Sequence, residues 1–267
     1  MSTVLTPTTQ TPARPAHVET TMAIPPLNVG DHLSRAEFER RYEAHPEIKK
    51  AELVEGVVYV SSPIRIEQHS QPHLYLNTWV GTYLASTPGV RGGDNGTVRL
   101  DRWNEVQPDI FLRLPTTRGG KSRVAPDDYL EGPPELVVEI AASSVAYDLH
   151  EKKRAYERNG VPEYVAAQVY EQRVDWFVLR ESGYEALQPD EKGILRSEVF
   201  PGLWLNPAAF WSGDLAAMLA TLQEGLASPE HAAFALLLPE PAGQGAARRR
   251  GVALRGLPLA ARCRGLR

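Results

Sequence analysis

The chain has 267 residues, of which 42% are hydrophobic and 23% charged, and carries a formal net charge of −4. That length can bury one substantial core, and the proportions are those of a soluble globular protein rather than a fibrous or disordered one. The single cysteine, Cys263, excludes an internal disulfide and any cysteine-rich zinc site. No stretch approaches the roughly 18 apolar residues of a membrane helix, and no basic segment followed by an apolar run opens the chain. The expectation is a cytoplasmic protein with no membrane partner.

Charge is unevenly spread. From Arg248 to Arg267 there are seven arginines and no acids, so the rest of the chain holds 22 basic against 33 acidic residues, a charge of −11. Such a body is no bulk nucleic-acid binder, and any charge facing a polyanion has to be local or supplied by a metal.

Residues 1–28, rich in Thr and Pro, read as a disordered lead-in. Ser34-Arg35-Ala36-Glu37 has capping-box spacing and predicts a short helix through about Glu43. Ala51 to Val60 reads as a hairpin turning at Glu55-Gly56. Between Pro72 and Ala85, Leu76, Trp79, Val80, Tyr83 and Leu84 recur at helical spacing, and Pro88-Gly89 ends that helix. Strands follow near 96–100, 106–113 and 134–141, with a polar loop at 115–131. Asp148 and Glu151 give a second capping-box-like start, and Gly160 a stop. Short strands near 163–170, 173–180, 184–187 and 194–199 precede a helix from Asp214 to about Leu226. The domain is predicted over 29–227, with 228–267 a disordered Ala/Gly/Arg-rich tail. This order predicts an α/β fold, a central mixed β-sheet flanked by helices.

The chemistry is concentrated in three segments. Pro134 to Ala141 (PELVVEIA) places Glu139 inside an apolar run of the kind that is covered on both faces. A buried carboxylate is costly unless paired, hydrogen-bonded or metal-bound. Gln107-Pro108-Asp109 puts a second acid at the head of another apolar strand, and Asp148 opens a helix bearing Lys152 and Lys153. Two acids on neighbouring strands and a lysine can hold Mg²⁺, which keeps several waters and needs few protein ligands, and can steer water onto a phosphodiester. An arginine salt bridge would also hold Glu139; Pro108-Asp109 favours the metal. Helical spacing does not choose between Lys152 and Lys153. Glu52 begins an apolar strand, and His69 precedes the long helix.

PELVVEIAASSVAYDLHEKKRAYERNGVPEY, preceded by VQPDIFL and AELVEGVVYV, resembles the Uma-two family of restriction-endonuclease-like proteins, within the PD-(D/E)XK nuclease-like superfamily. The resemblance covers roughly residues 30–212. It implies a restriction-endonuclease-like core with its acids clustered at one sheet edge, Asp109 and Glu139 as metal ligands, and Glu52 in the place of the upstream acid. In the broader superfamily a lysine stands two positions after the second acid; here that place is Ala141, and the resemblance gives the role to Lys152 on the following helix. His69 falls where many relatives carry a histidine, which implies a supporting role. Two segments depart from the family: AASS lacks a proline after the glutamate, and EYVAAQV has Val165 and Gln168 where relatives have tryptophan and aspartate. The implied activity is Mg²⁺-dependent hydrolysis of DNA, with Mn²⁺ as substitute and a homodimer as a possible assembly. The alternative is a degenerate nuclease-fold module that binds nucleic acid or a protein partner without cutting.

Overall fold

A computed structural model describes residues 24–61, 65–142 and 147–238. Helix α1 (Arg35–Glu43) leads into the hairpin β1 (Ala51–Val54) and β2 (Val57–Val60). Glu55 and Gly56 take φ of 53° and 78°, the left-handed pair that a two-residue hairpin turn requires. A π-helical turn over Ile66–Ser70 runs into α2 (Gln71–Ser86). Next come β3 (Arg91–Asp94), β4 (Val98–Arg99), β5 (Glu105–Val106), β6 (Ile110–Arg113), β7 (Arg123–Val124), β8 (Leu130–Glu131) and β9 (Leu136–Ala141). A second π-turn over Asp148–Lys152 continues as α3 (Lys153–Asn159), which Gly160 ends at φ 75°. The remainder is β10 (Glu163–Gln168), β11 (Arg173–Arg180), β12 (Gly183–Ala186), β13 (Leu195–Arg196), β14 (Trp204–Leu205), α4 (Pro207–Trp211), α5 (Leu215–Leu226) and α6 (Pro229–Leu237).

The strands form two mixed six-stranded sheets rather than one. Sheet I has the order β2-β1-β5-β4-β8-β7 and sheet II the order β12-β11-β10-β9-β6-β3, with β13-β14 a separate pair. The strand expected over 106–113 is split between them: β5 belongs to sheet I and β6 to sheet II. Gln107-Pro108-Asp109 is the crossover, and Pro108 has no N–H to continue a ladder.

Period-two alternation sorts side chains into layers. On β9, Leu136, Val138 and Ile140 pack against α2 and α5 through Trp79, Val80, Met218 and Leu222. Val137 faces the other way, into a cluster with Val54, Val106, Tyr156 and Tyr164 that fills the space between the sheets. On β1, Ala51 and Leu53 join Phe38 of α1. By the same alternation Glu52 and Glu139 both face the layer between the sheets.

Several local expectations change. Ser34 starts α1 but its side chain makes no cap: the Glu37 N–H donates to Ser34 O at 3.1 Å, and the Glu37 carboxylate turns to Arg40 and Arg41 at 2.8 and 2.7 Å. Asp148 is the first residue of its π-turn rather than the residue before it, and is buried beside Lys152. The segment after Ser228 is not without fold: Ser228 accepts a hydrogen bond from the His231 N–H, Pro229 fills the first turn, and α6 follows. Leu27, placed in the lead-in, is buried in the α1 cluster. The expectations for 1–23 and 239–267 lie outside the described residues.

Trp79 is fully buried, donates its indole N–H to Trp204 O at 2.9 Å and meets Trp176 edge-to-face at 6.1 Å. Trp79→Ala should cost about 3–5 kcal/mol of stability, read from denaturant midpoints, while the fold persists. A loss near zero would mean this layer is not the core.

Candidate active site

Antiparallel pairing of β6 with β9 matches Ile110 to Val138 and Phe111 to Val137. The same register carried one step further sets Asp109 opposite Glu139, on one face of the sheet. Asp109 Oδ2 accepts the Ile140 N–H at 2.8 Å, which ties the acid to the strand that bears Glu139. Glu139 Oε1 accepts from Lys152 Nζ at 2.9 Å and from the Tyr156 hydroxyl at 2.7 Å. Lys152 Nζ also lies 3.0 Å from Glu52 Oε1 and 3.9 Å from Asp148 Oδ1. Glu52 Oε1 in turn accepts the Gln107 N–H at 2.7 Å, at the crossover between sheets. One ammonium thus joins an acid of sheet I to an acid of sheet II.

Glu52, Asp109, Glu139 and Lys152, the four residues singled out in the sequence, are therefore gathered in one place, each exposed by 5% or less. Lys153 goes elsewhere, its ammonium over the Phe177 ring. His69 joins the group: its Nε2 is 3.2 Å from Asp109 Oδ1. The cluster sits in the seam between two sheets rather than along one sheet edge.

Four further residues lacked an assigned role. Tyr156 is one helical turn beyond Lys152 and shares its face. His73 stands in the same relation to His69; its Nε2 lies 3.1 Å from Asp109 O and 3.0 Å from Asp94 Oδ1. Lys50, two positions before Glu52 and hence of the same strand parity, brings Nζ to 3.9 Å from Asp109 Oδ1. Spacing was the available signal for these three. Tyr147 meets Tyr59 at a tilt of 36° with ring centroids 4.1 Å apart, and no sequence pattern marked it.

Charge balance is the site's dominant electrostatic fact. Burial pushes Glu139 up from 4.5 to about 8; Lys152 opposes this, while Asp109, Asp148 and Glu52 add to it. Burial works against ionised Asp109 as well, but His69, Lys50 and the Ile140 N–H outweigh it and hold that carboxyl at about 2. Burial also works against the Lys152 ammonium, yet Glu139 and Glu52 keep it charged, well above the ordinary lysine range. Acids so close cannot all ionise around one lysine, and Glu139 retains the proton.

Among the described residues no three His, Cys, Asp or Glu side chains form a ready-made metal cage. A hydrated hard cation needs less, since Mg²⁺ is held through one or two carboxylates and its own waters. Asp109 and Glu139 supply that donor set. Among the described residues the buried Tyr147 hydroxyl and His69 Nδ1 have no hydrogen-bond partner, as polar atoms beside a site for waters would. The residues present fit Mg²⁺ or Mn²⁺.

The Uma2 family, described as "Putative restriction endonuclease", matches residues 35–208. The chain belongs to this family. The Uma2 match takes in every site residue named above. The fold is similar to the crystal structure of a "putative nuclease belonging to DUF820" from Anabaena variabilis, with a TM-score of 0.51 and 12% identity over 67% of this chain and 98% of that one. At that identity the likeness concerns the fold alone. No curated protein matches. No helix among the described residues is long and apolar enough to cross a membrane.

Because Glu139 holds a proton below about 8, a divalent cation binding there has to displace it. Affinity for Mg²⁺ should rise as the pH climbs toward 8 and level off above it, and binding at pH 7 should release a proton. Calorimetry in buffers of different ionisation heat reads both. Affinity independent of pH, or equal proton release by Glu139→Gln, would contradict the assignment.

Proposed function

We propose that this chain is a Mg²⁺-dependent endonuclease that hydrolyses DNA phosphodiester bonds, with Mn²⁺ able to substitute. The observation that carries the reading is the pairing of two buried acids from adjacent strands, Asp109 and Glu139, with a buried lysine hydrogen-bonded to one of them.

Asp109 and Glu139 are the residues that would hold the cation. Bound there, it would lower the pKa of a water and offset charge growing on the phosphoryl oxygens. Ile140 N–H and His69 fix the two oxygens of Asp109. Lys152 and Tyr156 fix Glu139, and burial keeps the Tyr156 hydroxyl protonated and so a donor. Glu52 holds Lys152 from the other sheet. Ligands locked in this way need no rearrangement when charge develops, which is the main source of electrostatic catalysis. The seam between the sheets also limits water around the acids, so these interactions act at low effective dielectric.

A second reading, a module that binds nucleic acid without cutting it, is favoured by one feature: the Lys152 ammonium is enclosed by carboxylates, Glu139 at 2.9 Å and Glu52 at 3.0 Å. Nicking of supercoiled plasmid separates the two. Wild type should relax it with Mg²⁺ or Mn²⁺ and stop on chelation. Asp109→Ala, Glu139→Ala and Lys152→Ala should each lower the rate by about 10²–10³-fold or more. A wild type inert with either metal on every nucleic acid tried would overturn the endonuclease reading.

A further inference from the structure

We propose that Lys50, not Lys152, is the ammonium that contacts the substrate's phosphodiester, an inference that rests on the Asp109–Glu139 centre being the phosphodiester site. Lys152 is poorly suited to that contact. Its side chain is 4% exposed, and its Nζ lies 2.9 Å from Glu139 Oε1, 3.0 Å from Glu52 Oε1 and 3.9 Å from Asp148 Oδ1. An ammonium has three donors, and these carboxylates face it from three elements. Turning it toward a phosphate would strand two buried acids without their counter-ion, a costly exchange.

Lys50 is placed differently. Its side chain is 25% exposed, and Nζ lies 3.9 Å from Asp109 Oδ1. One donor is committed, to Asn95 Oδ1 at 2.9 Å. Asn95 is held in turn: it sits at φ 52°, its N–H donates to Asp109 O at 3.2 Å, and its amide donates to Asp94 Oδ1 at 2.7 Å. The side-chain carbonyl of Asn95 is thereby aimed at Lys50 and keeps the ammonium beside Asp109. Lys50 is thus a partly exposed cation beside the acid pair, with donors left over once Asn95 has taken one. Outside the arginine-rich end the chain is acidic, −11 overall, so a phosphodiester requires such a local cation. A lysine meets phosphate as a point charge and reads no base, so the ligand class is the nucleic-acid backbone irrespective of sequence.

The test uses full-length wild type, Lys50→Met and Lys50→Arg, with melting temperatures as the folding control. Duplexes of two unrelated sequences are titrated with Ca²⁺ in place of Mg²⁺ over a range of salt. Lys50→Met should weaken binding equally for both sequences and lower the magnitude of the salt slope by about one unit, with Lys50→Arg restoring it. In the nicking assay at saturating Mg²⁺, Lys50→Met should lose about 10²-fold or more in kcat. If wild type binds with this salt signature but cuts nothing, the endonuclease reading fails and the Lys50 contact stands. A Lys50→Met protein with the wild-type slope overturns the contact. So does wild-type nicking by that variant, which leaves the endonuclease reading in place.

Discussion

The buried ammonium of Lys152 holds one acid from each sheet, Glu52 and Glu139, within 3.0 Å. Removing a lysine and two carboxylates from water is unfavourable by several kcal/mol per ion unless each finds partners. The surrounding structure supplies them: Tyr156 for Glu139, Gln107 N–H for Glu52, and the aromatic rings of Tyr147 and Tyr156 along the walls. Even so the account does not balance. Four acids, Glu52, Asp109, Glu139 and Asp148, crowd a region where Lys152 is the enclosed cation, and the imbalance appears as the proton that Glu139 retains. A divalent cation in place of that proton would answer the excess charge, and the proposed chemistry follows from the same deficit.

The topology that makes this possible is a short crossover. Pro108 interrupts what would otherwise be one strand, so the chain leaves sheet I after Val106 and enters sheet II at Ile110. Asp109 lands opposite Glu139 as a result, and the unpaired Gln107 N–H becomes the anchor for Glu52. Sheet pairing and site assembly are therefore one event. A change at the crossover disturbs the acid pair as well as the fold, because the hydrogen bonds from Ile140 to Asp109 and from Gln107 to Glu52 span the same few ångströms of backbone.

Much of this was legible in the sequence, for definite reasons. Glu55-Gly56 announced its turn, the Leu76–Tyr83 stripe its helix, and an acid inside LVVEIA its own need for a partner. The four site residues could be named before their geometry was known, with the choice of Lys152 over Lys153 drawn from family resemblance. Lys152 and Lys153 point about 100° apart, as adjacent helical residues do, sending one to the acids and one to Phe177, and the apolar stripe they flank does not say which goes where. The division into two sheets was hidden because apolar residues lie on both sides of Pro108. Helix α6 is masked by the Ala/Gly/Pro/Arg drift of the composition after Ser228, although Ser228-Pro229 is a good helix start. Lys50 and His73 went unassigned although their spacing from Glu52 and His69 placed them on the same faces.

The most direct test of the central claim is the anomalous difference map of a crystal soaked in Mn²⁺. The account predicts a peak within bonding distance of carboxylate oxygens from both Asp109 and Glu139, with Lys152 still bridging Glu139 and Glu52. A map with no peak between those two acids at saturating Mn²⁺, or with the metal bound elsewhere, would contradict it.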